Sequence, residues 1–349
     1  MPSQSPPESV CVIRLSAIGD TCHALAVVRS IQDAWPETRI TWIVGKTEAS
    51  LFSDIADIEF IIFDKSSGRK TRRRLRRRLA ARRFDAALCM HASMLGNLLT
   101  HAIRSPVRLG YDFARARDFQ WLFTRQRIPA VRGQHVLDAM MSFADAIGVP
   151  KQKLRWDIPL SSKHQDFAAQ LRRDGHPLIV ISPCSSQRAR NFRNWSAENY
   201  AAAANYARNK FAGDIVLTGA STLLEQEYAT TITRLCGPDT VDLMGQTSLK
   251  QLLAVIAEAD LVLCPDSGPA HLATAVGTPV IGLYATSNPD RTGPYLNRDL
   301  VVNCYPKACQ KYLGKSVDQL RWGQRVRNDA AMGLIRLGEV TARIQQVLG

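Results

Sequence analysis

Residues 12–32 read VIRLSAIGDTCHALAVVRSIQ. An apolar run through Cys11, Val12 and Ile13 enters small residues, Ser16, Ala17 and Gly19; Asp20 follows at once, and a helix-like pattern occupies 24–34. A β-rich run that hands over to a helix through small residues opens a strand–turn–helix unit. The same hand-over recurs down the chain. Apolar, β-rich runs stand at 10–15, 40–44, 60–63, 86–90, 178–182, 215–218, 261–264 and 279–284. Helical patterns at 24–34, 197–210, 223–235, 249–257 and 270–276 lie between them. This alternation predicts α/β architecture, with doubly wound parallel sheets covered on both faces. The rhythm pauses over 148–165, GVPKQKLRWDIPLSSKHQ, before a new strand at 178. The chain of 349 residues, 46% hydrophobic, suffices for two cores. We read a first domain over 1–160 and a second over 161–349, the last helix being a candidate to pack back on the first.

Composition excludes several classes. No apolar run approaches the roughly 18 residues of a membrane span. The N-terminus, MPSQSPPESV, has no basic region followed by an apolar one, so the expected location is the cytoplasm. Of eight cysteines, Cys11, Cys89 and Cys264 lie inside apolar runs and read as small core residues. Cys304 and Cys309 form a C-x4-C with no second pair or downstream His, so no metal site is expected. No G-x-G-x-x-G follows a strand, which argues against a dinucleotide dehydrogenase.

The net charge of +14 is uneven: residues 1–164 hold 26 Lys+Arg against 15 Asp+Glu. Ten of those cations fall in 69–83, RKTRRRLRRRLAARR. The stretch reads either as a solvated helix, amphipathic through Leu75 and Leu79, or as a surface for a polyanion. Ten like charges in fifteen residues repel one another, which favours the polyanion. Aromatic residues are sparse around the run, which disfavours single-stranded nucleic acid.

In doubly wound sheets ligands bind beyond the carboxyl ends of the strands, and three strand-to-helix turns carry chemistry there. Asp20 is either a helix N-cap accepting bonds from the Cys22 or His23 amide, or a general base facing a ligand; Thr21 is an alternative cap. The second turn is DSGPAH, 266–271. Ser267 and Gly268 present amides at a helix start, a ready anion site; Pro269 suits the first helical turn; His271 is a candidate ligand contact; Asp266 suits sugar hydroxyls or the orientation of a neighbour. The third is SPCSSQRARNFRNW, 182–195, where Ser185, Ser186, Arg188, Arg190 and Arg193 crowd one loop. Hydroxyls and guanidiniums there suit a diphosphate.

Taken together, these stretches resemble glycosyltransferase family 9, the bacterial lipopolysaccharide heptosyltransferases. The most specific element is DSGPAHLATAVGTPVIGLYATSNPDRTGPY, 266–295, then IRLSAIGDTCHALAVVRSIQ, 13–32. RLGYDFARARDFQWLF and HVLDAMMSFADAIGV also match the N-terminal half. The resemblance implies a GT-B fold, two Rossmann-like domains facing across a cleft, with 1–160 binding the acceptor and 161–349 the donor. It implies inverting transfer of a heptose from ADP-heptose to the lipopolysaccharide inner core, on Kdo-lipid A or a core heptose, without a metal. No D-x-D is present, in keeping with that.

By the same resemblance Asp20 is the catalytic base. Arg193 falls where the family has a diphosphate-binding lysine, with Arg190 beside it; Ser185 and Ser186 fall on its hydroxyl residues. Asp266, Ser267, Gly268 and His271 match the donor turn, and Thr247 the segment that meets adenine. Ser16, Gly19, Arg117, Arg72, Arg73 and Arg76 fall on the acceptor side. Two departures stand out. Where relatives read D-x-Q-G-x-x-K-S this chain has CMHASMLGN, 89–97, and Gly219-Ala220-Ser221 replaces the ribose-binding acid, with Glu225 further on. The expected partners are an ADP-sugar, a lipid-anchored anionic saccharide and the inner-leaflet surface, with no nucleic acid, no cofactor beyond the donor, and a monomeric chain. The rival readings are a GT-B transferase using another nucleotide sugar and a non-catalytic polyanion-binding protein.

Overall fold

The computed structural model describes residues 5–185 and 191–349, apart from the side chain of Arg69. The chain divides into two compact units, Met1–Pro159 and Leu160–Gly349. In the first, the elements run β1 (Ser9–Ile13), α1 (Ile18–Ala34), β2 (Arg39–Gly45), α2 (Lys46–Phe52), β3 (Ile58–Phe63), α3 (Gly68–Leu79), β4 (Ala86–Leu88), α4 (Met94–His101), β5 (Val107–Gly110), β6 (Gln126–Arg127) and α5 (Val136–Ala146). The strands form one parallel sheet in the order β3-β2-β1-β4-β5-β6. β1 is central, pairing Val10 with Ile40 on one side and with Ala86 on the other. Val10, Cys11, Val12 and Ile13 are fully buried, because both faces of a parallel sheet are covered.

The second unit runs α6 (Ser162–Ala169), β7 (Leu178–Ile181), α7 (Ala197–Phe211), β8 (Asp214–Leu217), α8 (Leu223–Cys236), β9 (Val241–Asp242), α9 (Leu249–Glu258), β10 (Leu261–Pro265), α10 (Gly268–Val276), β11 (Val280–Tyr284), α11 (Pro289–Thr292), β12 (Val302–Asn303), α12 (Tyr305–Leu313) and α13 (Leu337–Leu348). Its order, β12-β11-β10-β7-β8-β9, repeats that of the first sheet when its strands are counted from β7. Both are the doubly wound order, in which strand succession reverses at one crevice, between β1 and β4 and between β7 and β10.

All eight strands read from the sequence form, with ends shifted by at most two residues. The four others, β5, β6, β9 and β12, are edge or near-edge strands of two to four residues, too short for a pattern. One helix differs in a way that matters. α1 starts at Ile18, well before the expected start at 24. Gly19, Thr21 and Cys22 look like a loop in sequence, yet they are buried helix residues; their small side chains let the first turn lie close to the sheet. The last helix packs on α7 and β11 of its own unit, through the buried side chains of Val340 and Ile344. Cys11, Cys89 and Cys264 are buried in the core.

Candidate functional site

At the β1–α1 turn, Ala17 occupies the N-cap position with no side-chain capping bond, and Asp20 is the third residue of the helix. The N-cap reading of Asp20 is therefore corrected. So is the alternative cap: the Thr21 hydroxyl donates back to the carbonyls of Ala17 (3.2 Å) and Ile18 (2.8 Å). The Asp20 carboxylate forms an ion pair with Arg14, its side chain 36% exposed against 11% for Arg14. The other arm of Arg14 donates to the Met90 carbonyl at 2.6 Å, tying the end of β1 to the segment after β4. One guanidinium thus spans the switch point and holds the carboxylate beside it. The Ser16 hydroxyl accepts a bond from Lys65, and Gly19 is buried in the same turn.

Three more ionisable groups belong to this cluster, and the sequence reading passed over them together with Arg14. His91 lies under the influence of Arg14, Lys65 and Asp20; burial, then the two cations, lower its pKa to about 4, so it is neutral near pH 7. Its Nδ1 is buried without a hydrogen-bond partner. Glu48, on the first turn of α2, is buried; burial raises its carboxyl pKa while Lys65 and Arg14 oppose the rise. Two glycines make room. A Cβ on Gly45 would stand 2.3 Å from the Leu15 carbonyl oxygen, and one on Gly96 would stand 2.1 Å from that of His91. The available signal was Arg14 itself, a charge ending an apolar strand.

At the second unit's switch point, α10 begins at Gly268 with Ser267 as an N-cap whose side chain makes no capping bond; the Ser267 hydroxyl turns to the Pro265 carbonyl at 3.1 Å. The first-turn amides are therefore left without a side-chain cap, the arrangement that receives an anion. Arg193 reaches this turn. Its Nη1 donates to the Asp266 carbonyl at 2.8 Å and stands 3.5 Å from the Asp266 carboxylate. The arginine is 13% exposed and the acid 8%. The loop that carries Arg193 is braced by Asn191 and Asn194, which the sequence reading did not single out. Asn191 Oδ1 accepts from the Arg193 amide (3.2 Å) and from the Ser185 hydroxyl (2.8 Å). Asn194 Oδ1 accepts from the Ser185 amide at 3.0 Å. Ser185 is buried, so its side chain shapes the loop from within.

Ser186, Arg188 and Arg190 lie outside the described residues. His271 is half-buried in the first turn of α10, and Thr247 is half-buried just ahead of Ser248, which caps α9. Glu225 is committed to its own turn: its oxygens accept from the Ala220 amide (2.9 Å) and the Thr222 amide (3.3 Å), a capping box on α8.

The arginine run forms α3, with Leu75 and Leu79 buried in the core. Its cations divide in two. Glu59 accepts from Arg78 (2.6 Å) and Arg82 (2.5 Å), and these bonds, Arg82 first, lower the Glu59 pKa to about 2. Arg73, Arg74, Arg76 and Arg77 are exposed and Arg72 is half-buried. Arg117 is exposed on the segment after β5. Among the described residues no helix is long and apolar enough to cross a membrane.

Two parallel doubly wound units in one chain, each with charged turns at its switch point, constitute a GT-B fold. Solved structures agree on the fold. A glycosyltransferase family 9 protein from Veillonella parvula superposes with a TM-score of 0.77 at 19% identity, covering 98% of this chain and 97% of that one. The E. coli heptosyltransferase WaaC with ADP superposes at 0.74 and 20%, covering 97% and 99%. The sequence profile described as glycosyltransferase family 9 (heptosyltransferase) matches residues 72–320. The lipopolysaccharide core heptosyltransferase OpsX of Haemophilus influenzae is 41% identical over 341 residues, 98% of this chain and 97% of its own. The chain belongs to glycosyltransferase family 9, and it is a glycosyltransferase.

Proposed function

We propose that the protein transfers a heptose from ADP-heptose to the inner core of lipopolysaccharide, on Kdo-lipid A or a core heptose, with inversion at the anomeric carbon. Its 41% identity to a lipopolysaccharide core heptosyltransferase supports the donor and acceptor class. The observation that carries the chemistry is the Asp20 carboxylate, which caps no helix and is held by Arg14. In this reading Asp20 takes the proton of the acceptor hydroxyl as its oxygen attacks the anomeric carbon. The bond from that carbon to the diphosphate breaks, and its electron pair leaves with ADP. Arg193 and the uncapped amides at the start of α10 stabilise the charge on the departing diphosphate. The first unit binds the acceptor and the second the donor, with Asp266, Ser267, Gly268, His271 and Thr247 around the nucleotide sugar.

The protein acts as a monomer at the cytoplasmic face of the inner membrane, held peripherally through the exposed arginines of α3. Cations near an anionic bilayer contribute about 1 kcal/mol each. A second reading, transfer from a different nucleotide sugar, draws on Glu225: its carboxylate is engaged by backbone amides at the turn where the family carries a ribose-binding acid. A donor–acceptor panel with product masses tests both. Heptose added from ADP-heptose to a Kdo-terminated acceptor supports the first, and turnover only with another nucleotide sugar supports the second.

A further inference from the structure

The segment from 111 to 127 in the first unit, which carries the acceptor-side candidate Arg117, also exposes an unusual set of apolar side chains. Leu122 is 73% exposed, Phe113 64%, Phe119 57% and Trp121 37%. The three rings form one patch, Trp121 lying 5.9 Å from the Phe113 ring and 5.4 Å from that of Phe119, and Leu122 follows Trp121 in the same short helical turn. Met94 and Leu98, both exposed and one helical turn apart on α4, adjoin it, because Asp118 accepts a bond from the Met94 amide at 2.7 Å.

The backbone beneath the patch is pinned. Asn97, fully buried, donates to the carbonyls of Asp118 (2.7 Å) and Arg117 (3.2 Å). Gln120, buried between exposed Phe119 and Trp121, accepts from the Tyr111 amide at 3.1 Å and donates to the Cys89 carbonyl at 2.8 Å. Asp118 and Phe119 are held at φ of 52° and 59°. A bulky residue in the left-handed region is an outlier that persists only where its surroundings impose it. The fold therefore holds these rings outward against the tendency of apolar surface to collapse inward, which marks an interaction surface.

The rim supplies the complementary charge. Arg117, Arg125 and Arg127 are exposed, and the Arg127 guanidinium lies 4.2 Å over the Phe113 ring. Of the neighbouring acids, Asp112 is paired with Arg115 and Asp118 accepts the Met94 amide. Tryptophan and phenylalanine on a segment that also exposes arginines match the interface of an anionic bilayer, where rings sit at headgroup depth and cations meet lipid phosphates.

We propose that Phe113, Phe119, Trp121 and Leu122 insert into the anionic lipid surface, a contact separate from the electrostatic hold of the α3 arginines. This extends the peripheral-membrane part of the function proposed above and is independent of the sugar transferred.

The test uses the full-length protein and vesicles of phosphatidylcholine with phosphatidylglycerol, some carrying brominated acyl chains. Bromolipid should quench wild-type tryptophan fluorescence. Trp121→Phe should lose that quenching, whereas Trp322→Phe, which removes another exposed tryptophan, should keep it. Leu122→Ser and Phe113→Ser change mostly exposed side chains and should each weaken vesicle partitioning by about three- to tenfold. That loss should persist in high salt, where the α3 contribution is screened. Turnover on a short, lipid-free acceptor should stay at the wild-type rate. Quenching retained in Trp121→Phe, or partitioning unchanged in both serine variants, overturns the proposal while leaving the α3 contact standing. Equal losses on the lipid-free acceptor would make the patch an acceptor pocket. A wild-type dimer dissolved by Leu122→Ser in sedimentation would make it a contact between copies. Either result overturns the proposal. No vesicle binding by the wild type removes both membrane contacts, whereas a negative donor panel removes only the proposed sugar chemistry.

Discussion

The two switch points share a strand order and an Asp–Arg pair, but they cover the pair to different degrees. At β1/β4 the acid is the outer partner, 36% exposed, and Arg14 is covered. At β7/β10 both partners are covered, Arg193 13% exposed and Asp266 8%. A part-exposed carboxylate held by a cation can accept a proton; a guanidinium anchored on the Asp266 carbonyl beside an uncapped helix start can meet a phosphate. One topology thus carries two differently set pairs, and the difference lies in whether the local turn leaves the acid part-exposed. Sequence position sets that. Arg14 ends a buried strand with Asp20 on the following helix, whereas Asp266 ends its strand and Arg193 arrives from a neighbouring loop.

The sharpest way to break this contrast is to remove the outer acid. Asp20→Ala should lower turnover by about 10²–10⁴, the range for a lost general base, with ADP affinity and melting temperature almost unchanged. Near-normal turnover would leave the first pair a structural contact. Removing the cation of the second pair should act on binding instead. Arg193→Ala should weaken ADP by roughly tenfold to a hundredfold in calorimetry, since a charge-assisted hydrogen bond contributes about 1.5–3 kcal/mol. Unchanged affinity would place the diphosphate elsewhere.

The inner partner of the first pair is expected to position and not to react. Arg14→Ala should reduce kcat by about tenfold with the donor KM unchanged, and Arg14→Lys, which keeps the charge but not the two-armed geometry, should recover part of the loss. Loss of donor affinity in Arg14→Ala would erase the division between the two turns.

The units also differ in surface charge, and most of the excess lies on α3. Neutralising Arg72, Arg73, Arg74, Arg76 and Arg77, while sparing Arg78 because it holds Glu59, should raise the KM for a lipid-anchored acceptor a few-fold. The effect should fade with salt as the screening length shrinks to about 8 Å at physiological ionic strength. Equal losses on a short acceptor would place these arginines inside the acceptor site.

The smallest effect concerns His91. Its ordinary pKa near 6.5 falls to about 4 in the folded chain, through burial first and then Arg14 and Lys65. Between those values the unfolded chain binds more protons, so stability falls as pH drops from 6.5 toward 4 and levels off below. Melting temperatures across that window should show a flatter slope for His91→Asn. An unchanged slope would mean that His91 already carries its proton in the fold.

The parallel α/β class was legible because both central strands, β1 and β10, are apolar on both faces and each runs into small residues before a helix. The turn at 266–269 was legible as a helix start for a related reason: Ser267, Gly268 and Pro269 have local conformational meaning that survives outside the fold. Asp20 was legible only as a choice between cap and base. That choice depended on where α1 begins, and the small residues that allow Gly19 and Thr21 to enter a buried helix look like a loop in one dimension. The cluster of Arg14, Glu48, Lys65 and His91 was not legible at all, since its members come from five different segments with Asp20, and only the sheet brings the strand ends together.

By itself, then, the sequence determined the period of strands and helices, the buried centre of each sheet and the conformation of the glycine- and proline-containing turns, all of which follow from interactions between residues close in the chain. The tertiary structure alone decided which charges are paired, how far each partner is covered and which arginines of α3 remain exposed. Those depend on distances across the sheet and on burial, and a charge acquires its chemistry from neighbours that folding, not chain order, supplies.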